Sequence, residues 1–377
     1  GVALKLAQAA CSLAQVPAPE DAMALAALGT IADSVPLRGD NRIIVRFGLE
    51  ALGKTRHAGL RALLNHSRAQ GADGKPDTGL VSFQLAPRLN SAGRLGDAGP
   101  SLRLLTTSDT GEAEALASRL DALNKERQRL SEVAWEEARG QLSANGGMDA
   151  GAPVIVVRCD SVPPGLLGPL AGRLCELHRR PAIAIGVVRG PQGSAADGAV
   201  RASARSTPAF DIHAAVAAQA ALLERFGGHA RAAGFTVREE NLPAVLEGIR
   251  RQAAWAALGA EARPEVEADC DARLEELGVS LWEFVGAMAP FGEGNPAPLL
   301  ISRRVQPLQV RTMGATGKHL RLTLEDNGRA FDAVGFGLGG APLGSGTVDI
   351  AYGLRTALWQ GRVRRELDLK AIRPSAG

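Results

Sequence analysis

The chain has 377 residues, 45% hydrophobic and 22% charged, so it has ample length for packed cores and the composition of a globular protein. The formal net charge is only +3, which does not single out a nucleic-acid binder. Four cysteines without a CxxC pair argue against a zinc ribbon or disulfide framework and predict a reducing, cytoplasmic location. No apolar run approaches the roughly 18 residues that span a membrane, so no membrane association is expected.

Residues 1–110 are predicted to form a helical domain with many loops. The chain starts at Gly1 without a methionine and enters directly into helix-like sequence, which we interpret as a fragment. The segment GTIADSVPL places Asp33 at the end of an apolar helix, and without further information Asp33 would be a helix-cap or turn residue. The segment LAPRLNSAGRLGDA carries Arg88 and Arg94 around Asn90. Guanidinium groups suit bidentate phosphate recognition, although the same residues could be surface arginines on a loop.

Residues 111–143 are predicted to form one long connecting helix. Leucines at 116, 120, 123 and 130 recur at helical spacings, and no proline or glycine interrupts the pattern from 112 to Gly140. Some 30 residues at about 1.5 Å each give a rod of roughly 45 Å. Such a helix can hold two domains apart across a groove.

Residues 150–262 are predicted to form an α/β domain, because strand-like APVIVVRCD, a helix and strand-like PAIAIGVV follow in order. The strand RASARS places Ser203 and Arg205 on one face, two residues apart. The run FDIHAAVAAQAALLERF is predicted to be a helix that ends at FGGHARAAG. There, Gly227 and Gly228 allow close backbone approach to a ligand, and His229 could donate to a phosphate oxygen. The alternative is a helix C-cap followed by a solvated histidine.

Residues 266–377 are predicted to form an OB-type β-barrel, since five strand-like runs alternate with glycine-rich turns. From residue 302 onward there are twelve Arg and Lys against six Asp and Glu, a net formal charge of +6. This domain is therefore expected to bind single-stranded nucleic acid. Tyr352 and Trp359 could stack on bases, although a strand tryptophan is more often a core residue.

Together these motifs resemble RecJ-type single-stranded-DNA exonucleases of the DHH phosphoesterase superfamily. FGGHARAAG resembles the glycine–histidine motif of the DHH-associated domain, GTIADSVPL a metal-binding aspartate motif, and RASARS a pocket for a terminal 5′-phosphate. The resemblance covers nearly the whole chain in the family's order. It departs at Val162–Pro163–Pro164, where the family usually has a Trp-His-Glu-Gly run, so no site role is expected there.

The resemblance implies a metal-dependent phosphodiesterase that degrades single-stranded DNA from the 5′ end to mononucleotides, in DNA repair and recombination. It implies an α/β protein with a partial DHH domain, the connecting helix, the DHH-associated domain and the OB barrel. Two ions, Mn²⁺ or Mg²⁺, would be bound, with Asp33 as a ligand and as a catalytic residue together with His229. The implied phosphate-binding residues are Arg88, Asn90, Arg94, Ser203, Arg205, Gly227 and Gly228.

The resemblance also implies partners and alternatives. The expected partner is single-stranded DNA, with a single-strand-binding protein and a helicase as further candidates, and a monomer is expected. Because the family's Asp-His-His motif is not in this sequence, the chain alone is expected to be inactive. One alternative is a non-catalytic single-strand-binding or replication scaffold with the same fold. Another is an enzyme acting on short oligonucleotides or RNA.

Overall fold

The computed structural model describes the chain in two compact units, residues 1–86 with 264–377 and residues 87–263. It describes every residue except 68–74, 145–151, 190–194, 258–265, 315–316, 345, 360–361 and 376–377. Within the described residues, no helix combines the length and apolar character needed to cross a membrane.

The first unit begins with four helices. They are α1 (Val2–Leu13), α2 (Ala22–Ala32), α3 (Gly39–Gly53) and α4 (Ala58–His66). Helices α2 and α3 pack closely because Gly48 has no side chain: a Cβ there would lie 2.3 Å from the Cβ of Ala27. The predicted helical character of this region is confirmed.

A helical segment then crosses from the first unit to the second. A turn at Thr78–Leu80 and a π-helical turn at Val81–Leu85 lead into α5 (Ala86–Leu95), which is followed by α6 (Gly99–Leu104). The LAPRLNSAGRLGDA motif is therefore largely helical, not a loop. This matters because helical spacing decides which of its polar side chains share a face.

The long helix α7 (Thr110–Ala144) has 35 residues and confirms the predicted rod. Ion pairs one turn apart, such as Glu126 with Arg129 at 2.7 Å, support its exposed face. Its buried face packs on α8 (Leu167–His178), where the Arg173 guanidinium lies 3.8 Å from the ring centroid of Trp135.

The second unit is built on a five-stranded sheet in the order β1-β2-β3-β5-β4. Its strands are β1 (Ile155–Arg158), β2 (Ala182–Arg189), β3 (Ala195–Arg205), β4 (Leu223–His229) and β5 (Ala232–Arg238). Strands β1 and β2 are parallel around α8, as a strand–helix–strand unit requires, and the remaining pairs are antiparallel. Two further helices cover the other face of the sheet, α9 (Ile212–Ala217) and α10 (Leu242–Ala257).

The predicted helix over 210–226 forms only at Ile212–Ala217, and the prediction is wrong for the remaining residues. Helix α9 stops at Ala217, and from Leu223 the chain becomes the edge strand β4, which ends at His229. The alanine-rich sequence satisfies helical spacing, but pairing with β5 overrides that local preference. The glycine–histidine motif therefore lies on an exposed sheet edge instead of at a helix end.

The first unit ends with the predicted barrel. After β6 (Cys270–Asp271) and α11 (Val279–Ala287) come five strands that close through pairing of β7 with β10. These are β7 (Leu300–Met313), β8 (His319–Asp326), β9 (Arg329–Gly335), β10 (Val348–Trp359) and β11 (Arg362–Pro374). Alternation explains the core: Leu320, Leu322 and Leu324 of β8 are buried, while the residues between them face outward.

Candidate functional site

Four of the predicted site residues lie on one face of the sheet in the second unit. In antiparallel pairs, directly opposed residues point to the same side. Two rows therefore cross β3, β5 and β4: Arg205–Ala232–His229 and Ser203–Gly234–Gly227. The middle residue of each row, Ala232 or Gly234, is small. The sheet surface between Arg205 and His229 is therefore free of large side chains, and we call this surface the floor of the site. With strands about 4.8 Å apart, their Cα atoms are separated by roughly 10 Å, so long side chains on both sides can close on one anion.

The two glycines of the motif differ in what they do. Gly228 has φ +146°, and a Cβ there would lie 2.3 Å from the carbonyl oxygen of Ala232 on the paired strand. Only glycine fits that position. A Cβ at Gly227 would meet nothing within 4 Å, so this position leaves open space above the floor.

Arg205 points along α8 towards the N-terminal turn of that helix. A Cβ on Gly168 would lie 3.0 Å from the Nη2 atom of Arg205, so this glycine makes room for the guanidinium. The Nη1 atom donates to the Ala204 carbonyl oxygen at 2.9 Å. Burial lowers the pKa of Arg205, and the positive charge of Arg94 lowers it further. A cation beside the positive end of a helix is stabilised when an anion is bound there.

Arg94 and Arg127 extend this cluster of positive charge. The Nη1 atom of Arg94 donates to the Gly165 carbonyl oxygen at 3.3 Å. Arg127 donates from Nε and Nη2 to the Oδ1 atom of Asn124, at 3.1 and 2.9 Å. Burial lowers the pKa of Arg127 and the charge of Arg94 adds to this effect. Within the residues that the structure describes, no carboxylate forms an ion pair with Arg94, Arg127 or Arg205.

Arg127 is the functional candidate that sequence reasoning missed. The sequence did contain a signal for Arg127. At helical spacing, Asn124 and Arg127 lie on the same face of α7 as the buried residues Ala113, Ala117 and Leu120. Asn124 is only 5% exposed, and a polar residue at a core position is informative. Here its side chain fixes the orientation of Arg127.

Arg88 occupies a different environment from Arg94. Its Nε and Nη2 atoms both donate to the Oδ1 atom of Asp121, at 3.0 and 2.9 Å, and its side chain is 11% exposed. On α5, exposed Asn90 lies one turn before Arg94 and on the same face, whereas Arg88 faces α7. The predicted phosphate role of Arg88 stays a prediction, and its observed contacts tie α5 to α7.

Asp33 is exposed and directly follows α2 in the first unit. The described residues contain no group of three His, Cys, Asp or Glu side chains that could hold a metal ion. A single carboxylate does not fit a two-metal centre, which requires several oxygen ligands for each ion. The predicted ligand role of Asp33 thus stays a prediction.

The barrel places the two predicted stacking residues differently from expectation. Tyr352 is fully buried, with its hydroxyl 2.9 Å from the Oγ atom of Ser302, so its predicted role in base stacking is wrong. Alternation along β10 puts Tyr352 on the inner face, with Val348 and Ile350. The side chain of Trp359 lies outside the described residues.

Comparison with protein families identifies the two domains. Residues 151–254 match the DHHA1 domain, and residues 268–371 match the RecJ OB domain. The sheet that carries Arg205 and His229 is therefore a DHHA1 domain, while Arg94 and Arg127 come from the helices that precede it in sequence. The DHHA1 domain is joined in sequence to an OB barrel of RecJ type.

Relatives and solved structures agree with this assignment. The chain is 33% identical to the single-stranded-DNA-specific exonuclease RecJ of Bacillus subtilis, over 98% of the chain and 46% of that protein. It is 37% identical to the Thermus thermophilus enzyme of the same name, over 86% of the chain and 45% of that protein. The crystal structure of Thermus thermophilus RecJ in complex with Mn²⁺ superposes with a TM-score of 0.80 at 31% identity, covering 97% of the chain and 52% of that structure. The chain belongs to the RecJ family, and it spans about half the length of the curated relatives it matches.

Proposed function

We propose that this chain takes part in a metal-dependent 5′ to 3′ single-stranded-DNA exonuclease that releases mononucleotides, and that it supplies recognition of the 5′ end. The observation that carries this proposal is the cluster of Arg94, Arg127 and Arg205 beside the open floor that ends at His229. Three partly buried guanidinium groups without carboxylate partners among the described residues favour a bound anion. The relatives' name, single-stranded-DNA-specific exonuclease, supports DNA as the source of that anion.

The proposed roles follow from the positions of the side chains. Arg205 and the Ser203 hydroxyl would bind the terminal phosphate from β3, while Arg94 and Arg127 add charge from the two helices. A terminal phosphate monoester carries up to two negative charges and an internal diester one, so a cluster of cations favours the strand end. His229 would donate to a phosphate oxygen from the opposite side of the floor.

The remaining predicted residues have supporting roles in this proposal. Gly227 would keep the floor open and Gly228 would set the path of β4, as their Cβ environments indicate. Exposed Asn90 would contact the strand beside Arg94, and Arg88 would position α5 through Asp121.

The proposal includes Mn²⁺ or Mg²⁺ as the cofactor, because related RecJ structures are complexes with these ions. We propose that the complete enzyme binds two ions and that Asp33 is one of their ligands. We further propose that the protein acts as a monomer in cytoplasmic DNA repair and recombination. Its proposed partners are a single-strand-binding protein and a helicase. Since the described residues do not build a metal site by themselves, the 377-residue chain should show no nuclease activity with Mn²⁺.

The test is a binding measurement on the 377-residue chain. Fluorescence anisotropy with two oligonucleotides that differ only in a 5′-phosphate or 5′-hydroxyl should show tighter binding of the phosphorylated strand. Binding should weaken as salt rises, because phosphate contacts release counterions. Equal affinity for the two strands would contradict the proposed recognition of the 5′ end. Turnover of labelled strands by the chain alone would show that its own residues suffice for catalysis.

A further inference from the structure

A large aromatic side chain, Phe336, lies on the outer surface of the OB barrel and not in its buried core. Phe336 directly follows β9 and is 55% exposed. The ring of His319, the first residue of β8, meets it edge-on, with centroids 5.4 Å apart and planes at 68°. On another side, the Cζ atom of Arg355 lies 5.4 Å from the Phe336 ring centroid.

Both neighbours of Phe336 are fixed by other contacts. The Gly337 backbone N–H donates to the Nδ1 atom of His319 at 3.1 Å, which holds the imidazole ring in place. Arg355 forms an ion pair with the Oε1 atom of Glu366 at 3.5 Å, and the Glu366 side chain is only 8% exposed. The ring environment is therefore ordered before any ligand binds, which lowers the entropic cost of binding.

Phe336, His319 and Arg355 lie where an OB barrel can bind a nucleic-acid strand. Counted from β7, strands β8 and β9 are the second and third of the barrel, and in OB folds this face binds oligonucleotides. Arg321 and Arg364 lie on the same outer surface, where both pair with Asp332. The segment from residue 302 onward carries twelve basic and six acidic residues, so its charge is complementary to a polyanion.

We propose that Phe336, flanked by His319 and Arg355, stacks on one base of a bound single strand. This inference rests on the proposed function, since it requires the chain to bind single-stranded DNA. Phenylalanine has no hydrogen-bonding group, so the platform recognises the π face of any base without sequence preference. Arg355 would strengthen the stack through its charge and lie within reach of the adjacent phosphate.

The experiment compares base-bearing and abasic strands of equal length and charge. Affinities of the 377-residue chain for a twelve-nucleotide oligo-dT and for its abasic analogue are measured by fluorescence anisotropy. Phe336→Ala should weaken oligo-dT binding by about 5- to 140-fold, the range for losing one base–aromatic stack. It should leave binding of the abasic strand unchanged. Phe336→Trp should restore or increase oligo-dT affinity, which shows that the aromatic ring, and not the fold, is responsible.

Phe284→Ala is the matched control. Phe284 is 67% exposed on α11 and is not one of the three side chains Phe336, His319 and Arg355, so its removal should change neither affinity. Equal losses on oligo-dT and the abasic strand in Phe336→Ala, or no loss on either, would overturn the stacking assignment while strand binding by the chain stands. Failure of the unaltered chain to bind either strand would instead overturn the proposed function.

Discussion

The second unit, residues 87–263, and the OB barrel are both rich in arginine, but the surroundings of the arginines differ. In the barrel, the exposed Arg303 pairs with the exposed Asp271 at 3.2 Å, and the exposed Arg373 pairs with the largely buried Asp349 at 3.2 Å. In the second unit, Arg127 and Arg205 donate only to neutral oxygens among the described residues. In the barrel these arginines are paired with protein carboxylates, while the arginine cluster of the second unit keeps its charge for a ligand.

This difference shows that a count of basic residues does not locate a binding site. Net charge steers an approaching polyanion, but specificity comes from cations that are held in place without a protein counter-ion. An exposed pair such as Arg303–Asp271 is worth about 0–1 kcal/mol and opens readily. The guanidinium groups beside α8 are already partly desolvated, so their hydrogen bonds to phosphate are stronger.

Replacing Arg205 should have the largest effect. Arg205→Ala removes a charge-assisted bond of about 1.5–3 kcal/mol, so the preference for 5′-phosphorylated over 5′-hydroxyl strands should fall by roughly 10- to 150-fold. Arg127→Ala should produce a loss in the same direction. Arg303→Ala, in the barrel, should leave the preference unchanged. Anisotropy titrations of the three variants with both oligonucleotides check this, and equal weakening on both strands by Arg205→Ala would assign Arg205 to general backbone binding.

The edge strand that carries His229 provides a second test. Gly228→Ala places a methyl group against the Ala232 carbonyl oxygen and forces a non-glycine residue to φ +146°. The free energy of unfolding should fall by about 2 kcal/mol. Gly227→Ala, one residue earlier, meets nothing within 4 Å and should change it by less than about 0.5 kcal/mol. Urea unfolding of the two variants gives the comparison, and similar losses in both would show that β4 does not hold this geometry.

Much of the fold could be predicted from local patterns. The barrel strands follow from alternation of apolar and polar residues, and α7 follows from its uninterrupted helical spacing. Strand β4 could not be predicted, because residues 210–226 suit a helix and only pairing with β5 makes the chain extended from Leu223. Local sequence indicates the secondary structure that a segment prefers by itself. Whether the segment pairs into a sheet depends also on the partner strand, which is another part of the chain.

Some features of the candidate site also follow from local sequence, whereas others depend on residues far away in the chain. The two-residue spacing of Ser203 and Arg205 correctly predicts a shared face, because the side-chain period of a strand is two. Arg88 and Arg94 look equivalent in sequence, but of these two arginines it is Arg88 that pairs with Asp121, which lies 33 residues after it. Likewise, the burial of Tyr352 depends on barrel closure through β7 and β10, which no local pattern contains.

The Arg88–Asp121 pair should make the second unit sensitive to acid. A hydrogen bond from Lys125 lowers the pKa of the Asp121 carboxyl, and the charge and hydrogen bond of Arg88 lower it further, although burial opposes this. Because the folded-state pKa is below the unfolded value of about 3.9, the stabilisation is complete above about pH 5 and is lost as the pH falls through the folded pKa.

Asp121→Asn should therefore lower the free energy of unfolding at pH 7 by about 1.5 kcal/mol and flatten its dependence on pH below 5. Urea unfolding at pH 7, 5, 4 and 3 for both proteins checks this. Glu126→Gln, which removes an exposed pair on the same helix, is the control and should cost much less. A parallel pH dependence in Asp121→Asn and the unaltered chain would show that other carboxylates cause the acid sensitivity.

The smallest effect is expected inside the barrel, at Tyr352. The Oγ atom of Ser302 lies 2.6 Å from the Ala272 carbonyl oxygen and uses its only proton there, so the Tyr352 hydroxyl must donate to Ser302. Burial raises the pKa of Tyr352 to about 12, which keeps the phenol protonated and able to donate at neutral pH.

Tyr352→Phe deletes this donor but leaves the Ser302 bond to Ala272 intact, so the free energy of unfolding should fall by only about 1 kcal/mol. Ser302→Ala should cost more, because it leaves both the Tyr352 hydroxyl and the Ala272 carbonyl without their partner. Neither variant should change affinity for oligo-dT, since the ring of Tyr352 is inaccessible to a base. Urea unfolding and anisotropy on the same preparations separate these effects. A fall in oligo-dT affinity for Tyr352→Phe without loss of stability would return Tyr352 to the binding surface and contradict the contrast with Phe336.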